Sequence, residues 1–385
     1  MHPGQSLSRA DHANRFGYTE WAGAFGDLGT LIPFVLAYVT LVDVDPGGIL
    51  LGFGLALVGA GAYYRTPFPV QPMKAIGAAA ATQATHGFVV TPGAVYGAGL
   101  ATGVFWVFLA ATGLAERLAR ATPRPVVAGL ILGLGVTFVV RGVGLMAHGW
   151  WLAAGAVGLA LLSGRRLPAM FVLLLLGAGA AVVTHPGLAA DLAALRPHFS
   201  LPPFGPAHIS PADLAGGVVF LALPQIPLTL GNAFIAIHEE NNRLFPDRPV
   251  TERQVAVSTG LMNLASPLVG GVPMCHGAGG MAGHVRFGAR TGGAPLILGV
   301  LLLVIALFFS DSVTVIFALF PAPVLGVILA LAGVQLAAGP RWIGVGYGAA
   351  TVAVLTAAVA LWNVAAAFGV GVTAHRIVFR GTRRH

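Results

Sequence analysis

Apolar runs of helix length limit what this chain can fold into more than any other feature. Most of them approach the roughly 20 residues with which an α-helix crosses the hydrocarbon core of a bilayer. They lack the alternation of apolar and polar residues that builds a membrane β-barrel. Only 9% of the 385 residues are charged, against about 25% in soluble domains, so the chain cannot cover a water-facing surface. The sequence therefore predicts an all-α integral membrane protein.

Fourteen apolar segments are present, seven on each side of a long polar stretch. The segments lie at residues 17–42, 47–64, 68–86, 93–115, 125–140, 146–163, 168–185, 213–238, 253–268, 270–285, 293–310, 313–338, 343–361 and 363–379. The regions predicted from this pattern are a cytoplasmic N-terminal tail at 1–15, a first seven-span repeat at 16–185, an inter-repeat loop at 186–212 and a second seven-span repeat at 213–380.

The arginines are distributed unevenly between the two sides that fourteen spans would create. With the N-terminus in the cytoplasm, 18 arginines fall on the cytoplasmic side and two, Arg141 and Arg196, on the other. Lys74 lies inside the membrane, and 18 + 2 + 1 accounts for all 21 basic residues. Because basic residues concentrate on the cytoplasmic side, we expect a multi-pass protein of the cell (inner) membrane with both termini cytoplasmic. Orientation in the membrane, rather than binding to nucleic acid, then explains the net charge of +8.

Two stretches interrupt the apolar pattern in the same way, one in each half. Residues 66–81 read TPFPVQPMKAIGAAAA, and residues 269–293 read VGGVPMCHGAGGMAGHVRFGARTGG. A proline followed by small residues suits a helix that starts abruptly, and small residues let two backbones approach closely. Breaks at matching places in two halves are typical of membrane transporters with a central site.

The spacing of two landmarks relates the halves to each other. Pro72 follows Gly29 by 72 − 29 = 43 positions, and Pro273 follows Gly231 by 273 − 231 = 42 positions. Because seven spans is an odd number, the second half must run through the membrane in the opposite direction. The sequence therefore predicts an inverted repeat whose third and tenth segments are broken half-helices.

The two broken helices are predicted to form an anion site. Each helix start in mid-membrane presents free N–H groups and a dipole of roughly +0.5 charge, so two facing starts supply roughly +1. Lys74, the only lysine in the chain, adds another unit if it faces the site. Together these charges balance a divalent oxyanion, for which helix N-termini are natural binding sites. The alternative is that Lys74 snorkels, or pairs with Asp27 as a structural ion pair.

Cys275 and His276 suggest a metal site or a nucleophile with its base, but their spacing argues against both. Adjacent residues on a helix point about 100° apart, and no second pair of ligands accompanies them. We therefore expect no enzyme activity, no metal and no cofactor. The N–H groups of Cys275, His276 and Gly277 are expected to bind the ligand, and Gln71 either contacts it or caps the chain break.

Further polar groups lie in the first and eighth segments. Gln225, Thr229 and Asn232 are four and three positions apart, so they share a helix face that points either into a cavity or at a neighbouring helix. Asp27 and Glu239 are candidates for coupling or for supporting the site, and the polar run from residue 238 onwards is predicted to be a solvated loop. The residues predicted to bind substrate are Gln71, Met73, Lys74, Ala75, Gln225, Thr229, Asn232, Cys275, His276 and Gly277.

At these residues the chain resembles the molybdate transporter family related to sulfate permeases. The motifs are PFPVQPMKAIGAAAA at 67–81 and GGVPMCHGAGGMAGHVRFGARTG at 270–292, supported by GAFGDLGTLIPF and LPQIPLTLGNAF. The resemblance implies the fold shared by sulfate permeases and uracil permease, with a core and a gate domain in a 7+7 inverted repeat. It also implies an oxyanion site between the starts of the third and tenth spans, and it suggests a homodimer.

The predicted function is secondary active transport of molybdate. Sulfate and tungstate are alternative substrates, and an anion channel is an alternative mechanism. A nucleobase permease on this fold would place an acidic side chain on the eighth or tenth span, where this chain has Gln225, Thr229, Asn232 and His276 instead. No sodium cage is visible in the sequence, so protons are the expected coupling ion, carried by Asp27, Glu239 or His276.

Overall fold

The computed structural model describes residues 13–74, 76–77, 88–162, 169–338, 346–362 and 364–379, and most of them are helical. The helices of the first half are α1 Tyr18–Ala24, α2 Leu28–Val42, α3 Pro46–Tyr64, α4 Pro92–Thr112, α5 Leu114–Ala121, α6 Arg124–Met146, α7 Trp150–Leu162, α8 Ala169–Thr184 and α9 Leu188–Ala193. A 3-10 turn, Phe25–Asp27, joins α1 to α2 and places Asp27 at the junction.

The second half opens with one long helical stretch that contains two wider π-helical turns. Its parts are α10 Pro211–Gly216, the π turn Gly217–Ala222, α11 Leu223–Leu228, the π turn Thr229–Ile235 and α12 Ala236–Leu244. The helices that follow are α13 Glu252–Ala265, α14 Ala278–Arg286, α15 Gly293–Phe308, α16 Val313–Phe317, α17 Ala322–Ala337, α18 Tyr347–Ala360 and α19 Val364–Val378. Two short strands, β1 Gln71–Pro72 and β2 Met274–Cys275, pair with each other.

Several helices begin where the sequence supplies a cap. Asp45 precedes α3 and its carboxylate accepts from the N–H of Gly48 at 2.6 Å, with Pro46 at the first helical position. Thr91 caps α4 in the same way, again followed by a proline. Such caps satisfy N–H groups that a helix start leaves free, and proline costs nothing there because it has no N–H.

By length and apolar composition, four stretches of the described chain are able to cross a membrane. They are Tyr18–Val42, Pro46–Tyr64, Pro92–Thr112 and Arg124–Met146. Two bent helix pairs, 211–244 and 293–317, raise the number to six, and shorter apolar helices account for most of the remaining apolar segments. Thirteen of the fourteen predicted segments contain one of the helices given above; in the third, residues 75 and 78–86 lie outside the described residues, and the count of fourteen stays a prediction.

Three details of the sequence-based segments were wrong. The polar run from residue 238 is not a loop at its start, because α12 continues to Leu244 and buries Glu240 and Asn241. The segment predicted at 313–338 is two helices, since α16 ends at Phe317 and α17 begins at Ala322, directly after Pro321. The tenth segment does not become helical directly after Pro273; it stays extended until Gly277, and α14 begins at Ala278.

Close helix packing depends on glycines that face each other across the two halves of the chain. α6 packs against α17, and a side chain on Gly142 would collide with the backbone carbonyl of Gly326. α3 packs against α15, where a side chain on Gly54 would meet Leu303 and the backbone of Gly299. Small residues at such contacts let helices associate by dense packing, the main attraction available to them in lipid.

Candidate functional site

The two interrupted stretches meet as an antiparallel pair of short strands. Gln71 lies opposite Cys275 and Pro72 opposite Met274, and the N–H of Met73 donates to the carbonyl of Pro273 at 3.0 Å. Proline lacks an N–H, so each strand is extended where a helix would have to break. The pairing places the residues that follow β1 beside those that follow β2.

The second strand is fixed by a side chain of α13. Asn263 Nδ2 donates to the carbonyl of Met274 at 2.6 Å, and its Oδ1 accepts from the N–H of Met274 at 3.0 Å. Ser266 at the end of the same helix donates to the carbonyl of Val272 at 2.9 Å. These bonds satisfy extended backbone groups that would otherwise be unpaired inside the protein, each at a cost of several kcal/mol in hydrocarbon.

His276 holds the first stretch with its side chain. Its Nδ1 lies 2.7 Å from the carbonyl of Pro69, so this nitrogen carries the proton, because a carbonyl can only accept. Its Nε2 lies 2.8 Å from Ser258 Oγ, which in turn lies 2.6 Å from the hydroxyl of Tyr64. Both imidazole nitrogens are thus used in connecting the two stretches. The group that His276 has left for a ligand at this site is its backbone N–H.

Gln71 is the centre of a buried polar network. Its Nε2 donates to Asp27 Oδ1 at 2.5 Å and to Thr30 Oγ1 at 2.9 Å, while Thr30 itself donates to the Asp27 carboxylate. All three side chains are buried. The amide orientation is therefore set by the carboxylate, and the Gln71 oxygen points the other way, towards Lys74.

Lys74 contacts Gln71 rather than an acid. Its Nζ donates to Gln71 Oε1 at 3.3 Å and lies 4.8 Å from the centroid of the Phe138 ring, which belongs to α6. Among the described residues, ion pairs within 4 Å involve Glu240 and Glu252, so Lys74 does not pair directly with Asp27. The Lys74 amine thus contacts the Gln71 amide oxygen and the Phe138 ring, and no carboxylate of the described chain lies within 4 Å of it.

The start of α14 faces this network at close range. A side-chain carbon on Gly277 would overlap Gln71 Oε1 and lie 3.5 Å from Lys74 Nζ. One on Gly280 would lie 2.7 Å from Asp27 Oδ2, and one on Gly279 would overlap the Phe138 ring. No side chain caps the N-terminus of α14, so its positive end points at Gln71 and Lys74.

Two of the three polar groups predicted on the eighth segment reach the same region. Gln225 Nε2 donates to Thr229 Oγ1 at 2.8 Å, and Gln225 Oε1 accepts from the N–H of Ile76 at 3.4 Å. Gln225 thereby touches the backbone just after Lys74. Asn232 is buried, and its Oδ1 has no hydrogen-bond partner among the described residues.

The structure gathers most, but not all, of the predicted site residues. Met73 is buried beside the strand pair, and Cys275 is a buried free thiol within it. Ala75 lies outside the described residues. Glu239 is exposed and lines a different cavity with Glu240 and α6. Within the described ranges, no group of three or more His, Cys, Asp or Glu side chains is arranged to hold a metal ion.

A cavity of about 440 Å³ opens beside Lys74. Its walls are α2, α6 and Leu329 of α17. The lining residues are Gly29, Thr30, Pro33, Phe34, Ala37, Lys74, Phe138, Arg141, Gly144, Leu145 and Leu329. Apart from Thr30, Lys74 and Arg141 these residues are apolar or glycine, so the cavity combines positive charge with low polarity.

Sequence reasoning missed several residues that build the site. Thr30, Asn263, Ser258 and Phe138 make the contacts described above. For Thr30 a signal was present, since it lies one helical turn beyond Asp27. Asn263 is an amide inside an apolar span, a position that requires a buried partner, but nothing in the sequence identifies that partner as the backbone of Met274.

Comparison of the sequence with known families gives a match to each half of the chain. The family described as "Molybdate transporter of MFS superfamily" matches residues 19–138 and 217–336. The chain belongs to this family. Two relatives are the proteins named Molybdate transporter 2 and Molybdate transporter 1 of Arabidopsis thaliana, 32% and 31% identical over 83% of this chain and 78% and 79% of theirs. Molybdate transporter 1 of Chlamydomonas reinhardtii is 28% identical over 84% of each chain.

Solved structures with the same fold come from membrane proteins. The transmembrane domain of the cyanobacterial bicarbonate transporter BicA matches with a TM-score of 0.56 and 17% identity, over 94% of this chain and 98% of that one. SLC26A9 matches with a TM-score of 0.58 and 11% identity, over 94% of this chain and 65% of that one. The protein is therefore a multi-pass membrane protein with the helical transmembrane fold of these two structures.

Proposed function

We propose that this protein is a secondary active transporter of molybdate that holds the oxyanion between Lys74 and the start of α14. One observation carries the proposal: Lys74, Gln71 and Gly277 converge where β1 and β2 pair, and no acid of the described chain lies within 4 Å of the lysine. The names of the relatives supply the substrate. A positive charge beside small residues and a helix start, the surroundings that suit an oxyanion, supports the proposed position.

The charges near the site favour a divalent anion. Lys74 contributes one unit, and the uncapped start of α14 contributes roughly half a unit. Asp27 opposes them, but its carboxylate already accepts bonds from Gln71 and Thr30. Within this proposal Asp27 orients Gln71 and does not contact the anion, because a carboxylate beside a dianion would repel it.

The proposed architecture is fourteen spans in a 7+7 inverted repeat with core and gate domains. Pro72-Met73 and Pro273-Met274 are the same dipeptide 273 − 72 = 201 positions apart, and they pair antiparallel, as a two-fold axis in the membrane plane would require. The two matches to the family have the same length and are offset by 217 − 19 = 198 positions. We further propose the cell (inner) membrane, with both termini cytoplasmic, as the location.

Helix packing follows the same exchange between halves. α3, the second span of the first half, packs on α15, the fourth span of the second half. In the same way α4, the fourth span of the first half, packs on α13, the second span of the second half. The fifth and twelfth spans, α6 and α17, pack against each other. This pattern supports a core built from the first four spans of each half and a gate built from the rest.

Protons are the proposed coupling ion, with Asp27 as their carrier. Its carboxylate is buried and hydrogen-bonded to Gln71, so a change in its charge would act directly on the site. Glu239, exposed at another cavity, and His276, engaged at both nitrogens, are less favourably placed. A homodimer belongs to the same proposal and rests on the family resemblance alone.

Uptake by reconstituted vesicles tests the function. Radioactive molybdate should accumulate above its external concentration when a proton gradient is imposed, and uptake should saturate. Uptake that stops at equilibrium and does not saturate would indicate a channel. Excess sulfate, tungstate or unlabelled molybdate is added as a competitor of the radioactive molybdate. Stronger inhibition of uptake by sulfate than by unlabelled molybdate would reassign the substrate.

A further inference from the structure

Arg141 lines the cavity beside Lys74 but takes no part in the network around Gln71. It lies on α6, and its side chain is exposed. It forms no hydrogen bond or ion pair with any other residue of the described chain. An arginine at the outer end of a span that lines a cavity, with no acidic side chain of the described chain in the lining, is a candidate for contact with an anion.

The direction of Arg141 is set by the helix that carries it. Phe138, Arg141 and Leu145 lie three and four positions apart, so they form one stripe along α6, and all three line the cavity. Gly142 lies in tight contact with α17, where it meets the backbone of Gly326. This close packing at Gly142 fixes the rotation of α6, so Phe138, Arg141 and Leu145 face the cavity.

Arg141 and Lys74 face the same space with charges of the same sign. Because both side chains line one cavity of low polarity, their like charges repel each other. The Phe138 ring, 4.8 Å from Lys74 Nζ, lies one helical turn from Arg141. No acidic side chain lines this cavity in the described structure. An anion between the two cations would relieve their repulsion, and a divalent one would neutralise both.

We infer that Arg141 is an outer anion-binding residue on the path to Lys74, where a divalent tetrahedral oxyanion binds before it reaches the start of α14. The inference rests on the proposed function. The cavity follows α2 from Gly29 to Ala37 and α6 from Phe138 to Leu145, so it runs towards the C-terminal ends of both helices. In the topology proposed above, these ends lie on the external side, and the path through Arg141 is the external one.

The test compares molybdate uptake by Arg141→Gln, Arg141→Lys and wild-type protein at several salt concentrations. With salt on the order of 10 mM, where charges act over about 30 Å, Arg141→Gln should raise KM about three- to tenfold, as expected for removing one charge several ångströms from a dianion in water. Near 0.5 M salt the difference should shrink to about twofold or less. Arg141→Lys should stay close to wild type. Arg196→Gln, the other arginine proposed on this side, is the matched control and should change nothing.

A second variant keeps the test decisive if Arg141→Gln is poorly folded. Arg141→Cys is treated from outside with a positively charged or a negatively charged methanethiosulfonate, and wild type, whose single thiol is buried, receives the same reagents. The positive adduct should lower KM towards wild type, and the negative adduct should raise it. Equal KM values for the two adducts, or an Arg141→Gln defect of the same size at all salt concentrations, would overturn the inference. Absence of molybdate uptake by wild type would instead refute the proposed function.

Discussion

The side-chain oxygen of Gln71 lies where a methyl group on Gly277 would have to be placed. Gln71 cannot turn away freely, because its amide nitrogen is bonded to Asp27 and Thr30. The lack of a side chain at Gly277 is therefore a condition for the orientation of Gln71. It is also a condition for the position of Lys74, which donates to the same oxygen.

Gly277→Ala should therefore weaken molybdate binding while the protein still folds and inserts. The added methyl group displaces the Gln71 oxygen and removes the contact of Lys74, and the loss of one charge-assisted bond corresponds to roughly a tenfold rise in Kd. Calorimetry on purified protein measures it. Gly155→Ala, in α7 with no atom within 4 Å of the added carbon, is the matched control. Equal affinity for the two variants would show that the start of α14 is not the binding site.

Lys74→Gln should lower molybdate affinity more than any other single change at the site. It keeps length and hydrogen bonding but removes the formal charge, at a cost on the order of 1.5–3 kcal/mol, or roughly ten- to a hundredfold in Kd. Lys74→Arg retains the charge and should bind better than Lys74→Gln, although the wider guanidinium crowds Gly277 and should slow transport. A Kd for Lys74→Gln within about twofold of wild type would mean that the lysine does not neutralise the anion.

Asp27→Asn should preserve equilibrium binding and alter coupling. The amide resembles the protonated acid, so the hydrogen bonds to Thr30 and Gln71 can be kept in part while the negative charge near the anion disappears. Molybdate binding should stay equal or become tighter. Wild-type uptake should fall as external pH rises, whereas uptake by Asp27→Asn should be slow and flat with pH. Asp191→Asn, at an exposed position, is the control; a wild-type pH profile in Asp27→Asn would remove the residue from coupling.

The positions of the interruptions, and most residues that the structure brings together at the candidate site, could be predicted from local sequence. Pro72 and Pro273 predict the breaks because proline has no N–H to donate to a helical hydrogen bond and its ring clashes with the preceding turn. Gln225 and Thr229 are four positions apart, and that spacing alone places them on one helix face, as they are in the structure. Lys74 is the only lysine in the sequence, and in the structure it lines the cavity.

The partners of these residues could not be predicted, because they come from distant parts of the chain. His276 bonds to Pro69, 207 positions away, and Tyr64 to Ser258, 194 positions away. Neither the hydrophobic periodicity of the sequence nor a local motif predicts such pairs, because they depend on which helices pack together. For the same reason the sequence left open whether Lys74 pairs with Asp27, whereas the structure places Gln71 between them.

Asn263→Ala should destabilise the protein even though the residue does not contact the proposed anion position. The change leaves both the N–H and the carbonyl of Met274 without their partners. At about 1–3 kcal/mol for each of the two buried unsatisfied groups, the expected loss of unfolding free energy is about 2–6 kcal/mol. Thermal unfolding in detergent measures it. Thr351→Val, which removes an exposed side-chain bond within α18, is the control and should cost little.

The proposed topology is tested with cysteines introduced at residues 5, 383 and 196. In intact cells an impermeant thiol reagent should label position 196 and should reach positions 5 and 383 only after the membrane is permeabilised. The native Cys275 is buried and should stay unlabelled. Labelling of position 5 or position 383 from outside would contradict cytoplasmic termini.

The pairing of β1 with β2 has a mechanical consequence. The two halves of the site are joined by the bond between Met73 and Pro273 and by the bridge from His276 to Pro69. Breaking these bonds to let an anion pass between the strands would leave polar backbone exposed inside the bilayer, at several kcal/mol for each group. In the proposed transporter the two strands would therefore move with the anion as one unit, and transport would not require the strand pair to separate.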